Sequence, residues 1–177
     1  MKEIEVKILD IDVEDFKRRL ESIGATYIKK VLMRRYVYFL TEDGHHWIRI
    51  RDQGDKVTLC VKKYFGHTID GTEEYEVDVD SFENTHELIN AMGFKASAYQ
   101  ENQRTSYKLG EAEIEIDVWP QIPVYAEIEA PTKELVEETV RKLRYTMDDV
   151  FTLNTRFVYD KYGIDITKIP KLKFEKP

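Results

Sequence analysis

Six short segments that alternate charged and aliphatic residues limit the fold of this chain more than any other feature. They are EIEVKI at 3–8, IRIR at 48–51, VTLCVK at 57–62, EYEVDV at 74–79, EIEIDV at 113–118 and AEIE at 126–129. Side chains alternate between the two faces of a β-strand, so each segment predicts a strand with one charged and one aliphatic face. The charged faces are sorted by sign, whereas an ordinary wet surface carries mixed polar residues. This sorting predicts strands that line a cavity for an anionic, metal-associated ligand.

The chain also contains an internal repeat. EIEVKI at 3–8 matches EYEVDV at 74–79, and each is followed by a helical pattern that stops at a glycine, Gly24 or Gly93. An arginine follows each glycine by eleven residues, Arg35 in the first half and Arg104 in the second. Each half continues with two more strands and so reads strand–helix–strand–strand–strand. Eight strands are enough to close a small barrel, in which all the charged faces point at one axis.

Three amphipathic helices are predicted to cover the outward aliphatic faces of such a barrel. The first begins after Asp12, the second begins near Ser81 or Asn84, and the third spans about 132–145. We therefore expect an α+β fold over residues 1–165, with a charged barrel interior and flanking helices. Residues 166–177 are expected to form an irregular C-terminal tail.

Composition excludes several classes of protein. A net charge of −7 argues against a nucleic-acid partner that is bound by bulk electrostatics. The single cysteine, Cys60, excludes a disulfide framework and a cysteine-based zinc site. No apolar stretch approaches the roughly 20 residues of a membrane span, and no signal peptide is evident. We expect a cytoplasmic protein without a membrane partner.

The predicted inward residues divide into a basic and an acidic set. The basic set is Lys7, Arg35, Arg49, Arg51, Lys62 and Arg104. The acidic set is Glu3, Glu5, Glu74, Glu76, Glu115, Asp117, Glu127 and Glu129. Arginine forks bind phosphate oxygens, and carboxylates hold Mg²⁺ or Mn²⁺, so the two sets together suit a metal–polyphosphate complex. The alternative is a network of internal salt bridges without a ligand, although buried ion pairs add little stability.

The ordered motifs resemble the CYTH superfamily, also called triphosphate tunnel metalloenzymes. EIEVK at 3–7 resembles the ExExK signature of that family, which includes class IV adenylate cyclases, thiamine triphosphatases and inorganic triphosphatases. The resemblance continues in order through WIRIR, CVKK, EEYEV, QRTSY, IEIDVWP and YAEIEAP, and it covers about residues 1–165. Two positions depart from the family pattern, because Asn102 stands where a lysine is common and Tyr36 where an aspartate is common.

The resemblance implies an eight-stranded antiparallel tunnel and assigns roles to its residues. The expected ligands of the divalent metal, Mg²⁺ or Mn²⁺, are Glu3, Glu5, Asp117, Glu127 and Glu129. The residues expected to bind the triphosphate and support its reaction are Lys7, Arg49, Arg51, Lys62 and Arg104. Further substrate contacts are expected from Arg35, Glu74, Glu76 and Arg156, the last from the segment TRFVYDKY.

Three functions are compatible with these residues. The first is metal-dependent hydrolysis of a small-molecule triphosphate such as tripolyphosphate, thiamine triphosphate or ATP. The second is a class IV-like adenylate cyclase, in which the ribose 3′-hydroxyl attacks the α-phosphate and pyrophosphate leaves. The third is a polyphosphate- or nucleotide-binding module without catalysis. No purine-specific feature is evident, which favours hydrolysis over cyclisation, and a homodimer is left open.

Overall fold

A computed structural model of the chain describes residues 2–175, with side chains from residue 4 onward. The strands are β1 (Lys2–Glu3), β2 (Glu5–Ile8), β3 (Thr26–Phe39), β4 (His46–Asp52), β5 (Val57–Tyr64), β6 (Thr72–Val79), β7 (Ala98–Leu109), β8 (Ala112–Val118), β9 (Tyr125–Glu129) and β10 (Lys171–Leu172). The helices are α1 (Val13–Ser22), α2 (Phe82–Ala91), α3 (Lys133–Lys142) and α4 (Thr155–Lys161).

The strands form one curled sheet in the order β1-β6-β5-β4-β3-β7-β8-β9-β2, with antiparallel neighbours throughout. Only Ile4 separates β1 from β2, so the first and last strands of this order belong to one segment. Because β1 pairs with β6 and β2 pairs with β9, the ring of strand pairings closes. With β1 and β2 counted as one strand, the described residues form the predicted eight-stranded antiparallel tunnel.

The two sequence repeats are related by a local two-fold axis. β3 and β7 pair with each other at the centre of the sheet, with Arg35 opposite Gln100 and Arg104 opposite Val31. A shift of 69 residues exchanges these two pairs, as the offset between Arg35 and Arg104 requires. Each half therefore has the predicted βαβββ order, and the first strand of each half pairs with the last strand of the other.

The outward aliphatic faces of the strands pack against helices. Val6, Ile114 and Ile128 are fully buried with Phe16 of α1 and Val136 of α3 in one cluster. This cluster lies over β2, β8 and β9, and α2 covers part of β3, β4 and β5 in the same way. The core therefore lies outside the sheet, and the charged faces are left to line its interior.

Each of the three predicted helices begins with a side-chain cap. The Asp12 carboxylate and the Ser81 and Thr132 hydroxyls each accept a hydrogen bond from the backbone N–H three residues later. Such a cap satisfies one of the amide groups that a helix start leaves without a partner. The predicted starts of α1, α2 and α3 are confirmed.

The C-terminal segment is more ordered than the sequence indicates. α4 and the following residues pack on the tunnel wall, where Tyr159, Ile166 and Leu172 bury Trp119 and Tyr125. β10 adds a short parallel strand to β7. The proposed domain boundary at residue 165 stays a prediction. Within residues 2–175, no helix is long and apolar enough to cross a membrane.

We predict that Ile114→Ala lowers the free energy of unfolding by about 3 kcal/mol, because truncation leaves a cavity between β8 and the helices that cover it. Leu32→Ala is the matched control, since Leu32 is 55% exposed, and it should change stability by about 0.5 kcal/mol or less. Urea unfolding followed by circular dichroism measures both. Similar losses in the two variants would contradict a core that lies outside the sheet.

Candidate active site

The interior of the sheet encloses a cavity of about 550 Å³. The predicted site residues that line it are Glu5, Lys7, Arg35, Arg49, Arg51, Lys62, Glu74, Glu76, Arg104, Glu115, Glu127, Glu129 and Arg156. Glu3 belongs to β1, but its side chain lies outside the described residues. Alternation along the strands thus brings almost every predicted site residue to one cavity.

The basic side of the cavity carries more positive charge than its carboxylates neutralise. Arg35 is 6% exposed and lies among Arg49, Arg51 and Arg104. Burial, followed by repulsion from these arginines, lowers the pKa of Arg35 to about 9. The same two causes lower the pKa of Arg51 to about 10. Glu76 lies 3.5 Å from Arg51 Nη2 and offsets only part of this repulsion, so an anion in the cavity would relieve both effects.

Unsatisfied donors mark the same place. The Nε atoms of Arg35 and Arg51 are buried and have no hydrogen-bond partner within the described residues. A buried N–H group without an acceptor carries a desolvation cost of about 1–3 kcal/mol. The Arg35 guanidinium lies 4.6 Å from the centre of the Trp119 ring, which holds it against the wall by a cation–π contact. Arg35 is therefore held at the cavity wall, where a multivalent acceptor such as phosphate would supply the missing hydrogen-bond partners.

On the opposite side of the cavity, Lys7 joins two carboxylates. The Lys7 ammonium lies 2.6 Å from Glu5 Oε1 and 3.0 Å from Glu127 Oε2. Burial alone would lower the pKa of Lys7, but the charges of Glu127 and Glu5 outweigh it and raise the pKa. Burial alone would likewise raise the pKa of Glu127, but Lys7 and Arg104 hold it well below its ordinary value. Lys7 and Glu127 are therefore both charged at neutral pH.

Glu129 differs from its neighbours because the positive charge of Lys62 does not outweigh burial and the nearby carboxylates. The strand register places Glu129 directly opposite Glu5 on β2 and opposite Glu113 on β8. Like charges in facing positions destabilise a sheet. Burial, followed by the charges of Glu5 and Glu127, raises the pKa of Glu129 to about 7. Glu5 on β2 and Glu127 and Glu129 on β9 offer carboxylate oxygens, the donors that a hard divalent cation prefers.

Asp117 is occupied by other groups. Its Oδ1 accepts hydrogen bonds from Arg104 Nε and Asn102 Nδ2, both at 2.9 Å, and its Oδ2 accepts one from Arg104 Nη2 at 2.5 Å. Asn102 in turn accepts a hydrogen bond from Arg35. Asp117 is fully buried and does not line the cavity, so in this structure it orients Arg104. Its role as a metal ligand stays a prediction.

A second acidic group lies at the two-fold related place. Ligand atoms of Cys60, Glu74 and Glu76 lie within 4.8 Å of one another, close enough to hold a metal ion. Cys60 and Glu76 face each other across β5 and β6, as Glu129 and Glu5 do across β9 and β2. Here, however, Arg49 lies 2.8 Å from Glu74 and Lys62 lies 3.1 Å from it. This half of the repeat therefore neutralises its carboxylates with protein cations.

One end of the cavity is closed by the start of α4. Asn154, Thr155 and Arg156 line the cavity there, and Arg156 Nη1 donates a hydrogen bond of 2.7 Å to the Asp43 carbonyl oxygen. Gly44 has φ +70°, and a Cβ at this position would lie 2.7 Å from Arg156 Nη1. The sequence indicated Arg156 correctly as a cavity residue, but it gave no signal for the loop that receives its side chain.

The sequence did not indicate several other residues that line the cavity. They are Phe39, Trp47, Gln100, Ser106 and Trp119. Trp47 could have been found, because it shares the inward alternation of Arg49 and Arg51. Trp119 could not, since it follows the end of its strand, where alternation no longer predicts direction.

Comparison with known proteins places the chain in a family. The model of the CYTH domain matches residues 1–152, and this chain belongs to the CYTH domain family. None of the curated proteins matches the sequence.

Solved structures show the same fold at low identity. PH1012 from Pyrococcus horikoshii OT3 is 24% identical, with a TM-score of 0.75 over 86% of this chain and 96% of its own. A putative adenylate cyclase from Vibrio parahaemolyticus is 15% identical and has a TM-score of 0.75. The match covers 90% of this chain and 98% of the cyclase chain. HpAC1 from Hippeastrum is described as a putative adenylyl cyclase with a dominant triphosphatase activity. It is 16% identical and has a TM-score of 0.60, and the match covers 91% of this chain and 96% of the HpAC1 chain.

The raised pKa of Glu129 predicts how stability depends on pH in metal-free protein. Because the folded state favours the protonated Glu129 carboxyl, ionisation of this group lowers the free energy of unfolding. This loss of stability grows as pH rises from 4.5, the ordinary pKa, to about 7, and it is constant above pH 7. Glu129→Gln should remove a penalty of up to about 3 kcal/mol at pH 8 and change little at pH 4. Thermal unfolding with EDTA measures this, with Glu111→Gln, an exposed turn residue, as control. A pH-independent difference would contradict the environment described for Glu129.

Proposed function

We propose that this protein is a divalent-metal-dependent hydrolase of triphosphates. The observation that carries the proposal is one cavity lined both by Arg35 and Arg51, whose buried Nε donors have no partner among the described residues, and by the carboxylates Glu5, Glu127 and Glu129. The guanidinium N–H donors would bind a polyanion, and the carboxylates would bind a cation. A metal–triphosphate complex supplies both charges in one ligand, which neither a free anion nor a free metal does.

The residues present fit a divalent metal. Glu129 would hold Mg²⁺ or Mn²⁺ together with Glu5 and Glu127, whose oxygens Lys7 contacts in this structure. Glu3 is a further ligand by family resemblance, and Asp117 is a candidate that would first have to release Arg104. Carboxylate oxygens are the donors that these hard cations prefer. When bound, the ion would neutralise phosphate oxygens and assist the departure of the terminal phosphoryl group.

The protein side chains then position the substrate. Arg35, Arg49 and Arg51 would bind phosphate oxygens from one side, and Lys7, Lys62 and Arg104 would complete the cationic surroundings. Phosphoryl transfer needs little covalent help from a protein, so fixed positive charge around the transferred group is the main contribution. Water is the nucleophile in this reaction: it forms a bond to the terminal phosphorus, the diphosphate part of the substrate leaves, and the attacked group is released as orthophosphate.

An organic group on the triphosphate also has a place to lie. Phe39 and Trp47 face each other across β3 and β4 and line the cavity near Arg156. Aromatic surface of this kind suits a heterocycle. Thiamine triphosphate and ATP therefore belong in the assay beside inorganic tripolyphosphate.

Product analysis tests the proposal. Purified protein is incubated with tripolyphosphate, thiamine triphosphate or ATP in Mg²⁺ or Mn²⁺, and the products are separated by anion-exchange chromatography. We expect orthophosphate release that EDTA abolishes. Cyclic AMP and pyrophosphate from ATP would instead make the protein a cyclase. Binding of tripolyphosphate that is insensitive to EDTA, without any product, would leave a binding module.

We predict that Arg51→Ala lowers kcat/KM roughly 10²- to 10³-fold, as loss of a charge-stabilising group does in other active sites. Its thermal stability without ligand should be equal or higher, because repulsion among the buried arginines is reduced. Steady-state kinetics and thermal unfolding measure the two effects. Arg18→Ala on α1, whose side chain is 70% exposed, is the control. Unfolding of Arg51→Ala, or unchanged activity, would count against its place in the cavity.

A further inference from the structure

An exposed apolar surface lies on the first half of the molecule. We define the α2–β6 face as Tyr75 and Val77 of β6 with Leu88, Ala91 and Met92 at α2. Tyr75 is 57% exposed, Val77 and Leu88 are each 60% exposed, and Met92 is 66% exposed. Since α2 packs on β4 and β5, and β6 is the neighbour of β5, these residues border one strip of the sheet. Large apolar side chains grouped in this way indicate a docking surface.

The internal repeat shows what covers this surface in the other half. Val77 corresponds to Val6, and Tyr75 to Ile4, by the offset of 71 residues between EIEVKI and EYEVDV. Val6 is fully buried in the cluster that contains Val136 of α3, and Ile4 packs against that cluster. The same strand positions are therefore covered in one half and exposed in the other.

The helices of the two halves, which correspond at an offset of 69 residues, also differ in whether they are covered by α3. Arg19 of α1 donates a hydrogen bond of 3.0 Å to the Leu143 carbonyl oxygen at the end of α3, and Ile23 packs against the same cluster. Their counterparts at α2 are Leu88 and Met92. Among the described residues, α3 has no counterpart in the first half, because the segment 65–71 between β5 and β6 contains no helix.

We propose that α2 of a second copy of this chain occupies the α2–β6 face, and that the protein pairs through this face as a two-fold dimer. The α2–β6 face can pair with its own copy because it contains two complementary parts. One is the exposed strand surface of Tyr75 and Val77, and the other is an exposed apolar row on the helix. Leu88, Ala91 and Met92 form that row at spacings of three and four, as Val136, Val140 and Leu143 do in α3. Two-fold pairing requires one surface that fits its own copy.

The charges on either side of the apolar row agree with this arrangement. Glu87 lies in the middle of α2 and Lys95 lies just after it, and both are exposed. Among residues 4–175 neither makes an ion pair, and the apolar row between them carries no charge. Two copies of α2 that pack antiparallel would bring Glu87 of one toward Lys95 of the other, and their helix dipoles would also be opposed.

Sedimentation equilibrium of the full chain over the micromolar range tests the proposal. We expect a particle of twice the chain mass of 21.0 kDa, and we expect Leu88→Glu to reduce it to one chain mass. Leu32→Glu is the matched control, since Leu32 is 55% exposed on β3, and it should leave the dimer unchanged. Circular dichroism shows whether each variant is folded. A monomer at every concentration, or a dimer that survives Leu88→Glu, would overturn the proposal.

Cross-linking tests the geometry separately. Cys60 is buried and Ala91 is exposed, so a cysteine placed at Ala91 is the accessible thiol of the described residues. In the arrangement that pairs Glu87 with Lys95 the two-fold axis passes near Ala91, so mild oxidation of Ala91→Cys should give a covalent dimer on a denaturing gel. Leu32→Cys should stay monomeric on the gel. Equal cross-linking of both variants would mean random collision and would contradict the arrangement.

Discussion

Charge enclosed beside charge of the same sign is the constraint on which this structure depends. Closing the sheet forces every inward side chain toward one axis, and the register then puts Glu129 opposite Glu5 and places Arg35 beside Arg51. Lys7 beside Glu5 and Glu76 beside Arg51 offset only part of the repulsion on each side of the cavity. A folded chain without ligand therefore retains electrostatic free energy that a metal–polyanion complex would release, so binding and stability are coupled.

Alternation was enough to predict the sheet, the repeat and the residues that share the cavity, because inward direction depends only on parity along each strand. Contacts between inward residues could not be predicted in this way. The arrangement in which Asp117 is held by Arg104 and Asn102, and Trp119 lies against Arg35, depends on register and on the twist of neighbouring strands. Sequence spacing carries neither quantity.

The two halves show how a duplicated site diverges. Equivalent positions hold Glu129 in one half and Cys60 in the other, and the second half of the sheet gathers carboxylates while the first gathers arginines. A symmetric barrel would present the same charge on both sides. The loss of symmetry gives the cavity one side for a cation and one for an anion, and it fixes the direction in which an asymmetric substrate lies.

Closure of the ring also has a consequence for folding. The pairing of Glu5 with Glu129 joins segments near opposite ends of the sheet-forming chain, and it forms only after both βαβββ units are in place. Loop-closure entropy makes such distant pairing slow. The same step brings two carboxylates together, so divalent ions in the refolding buffer should speed the last stage of assembly rather than the collapse of either half.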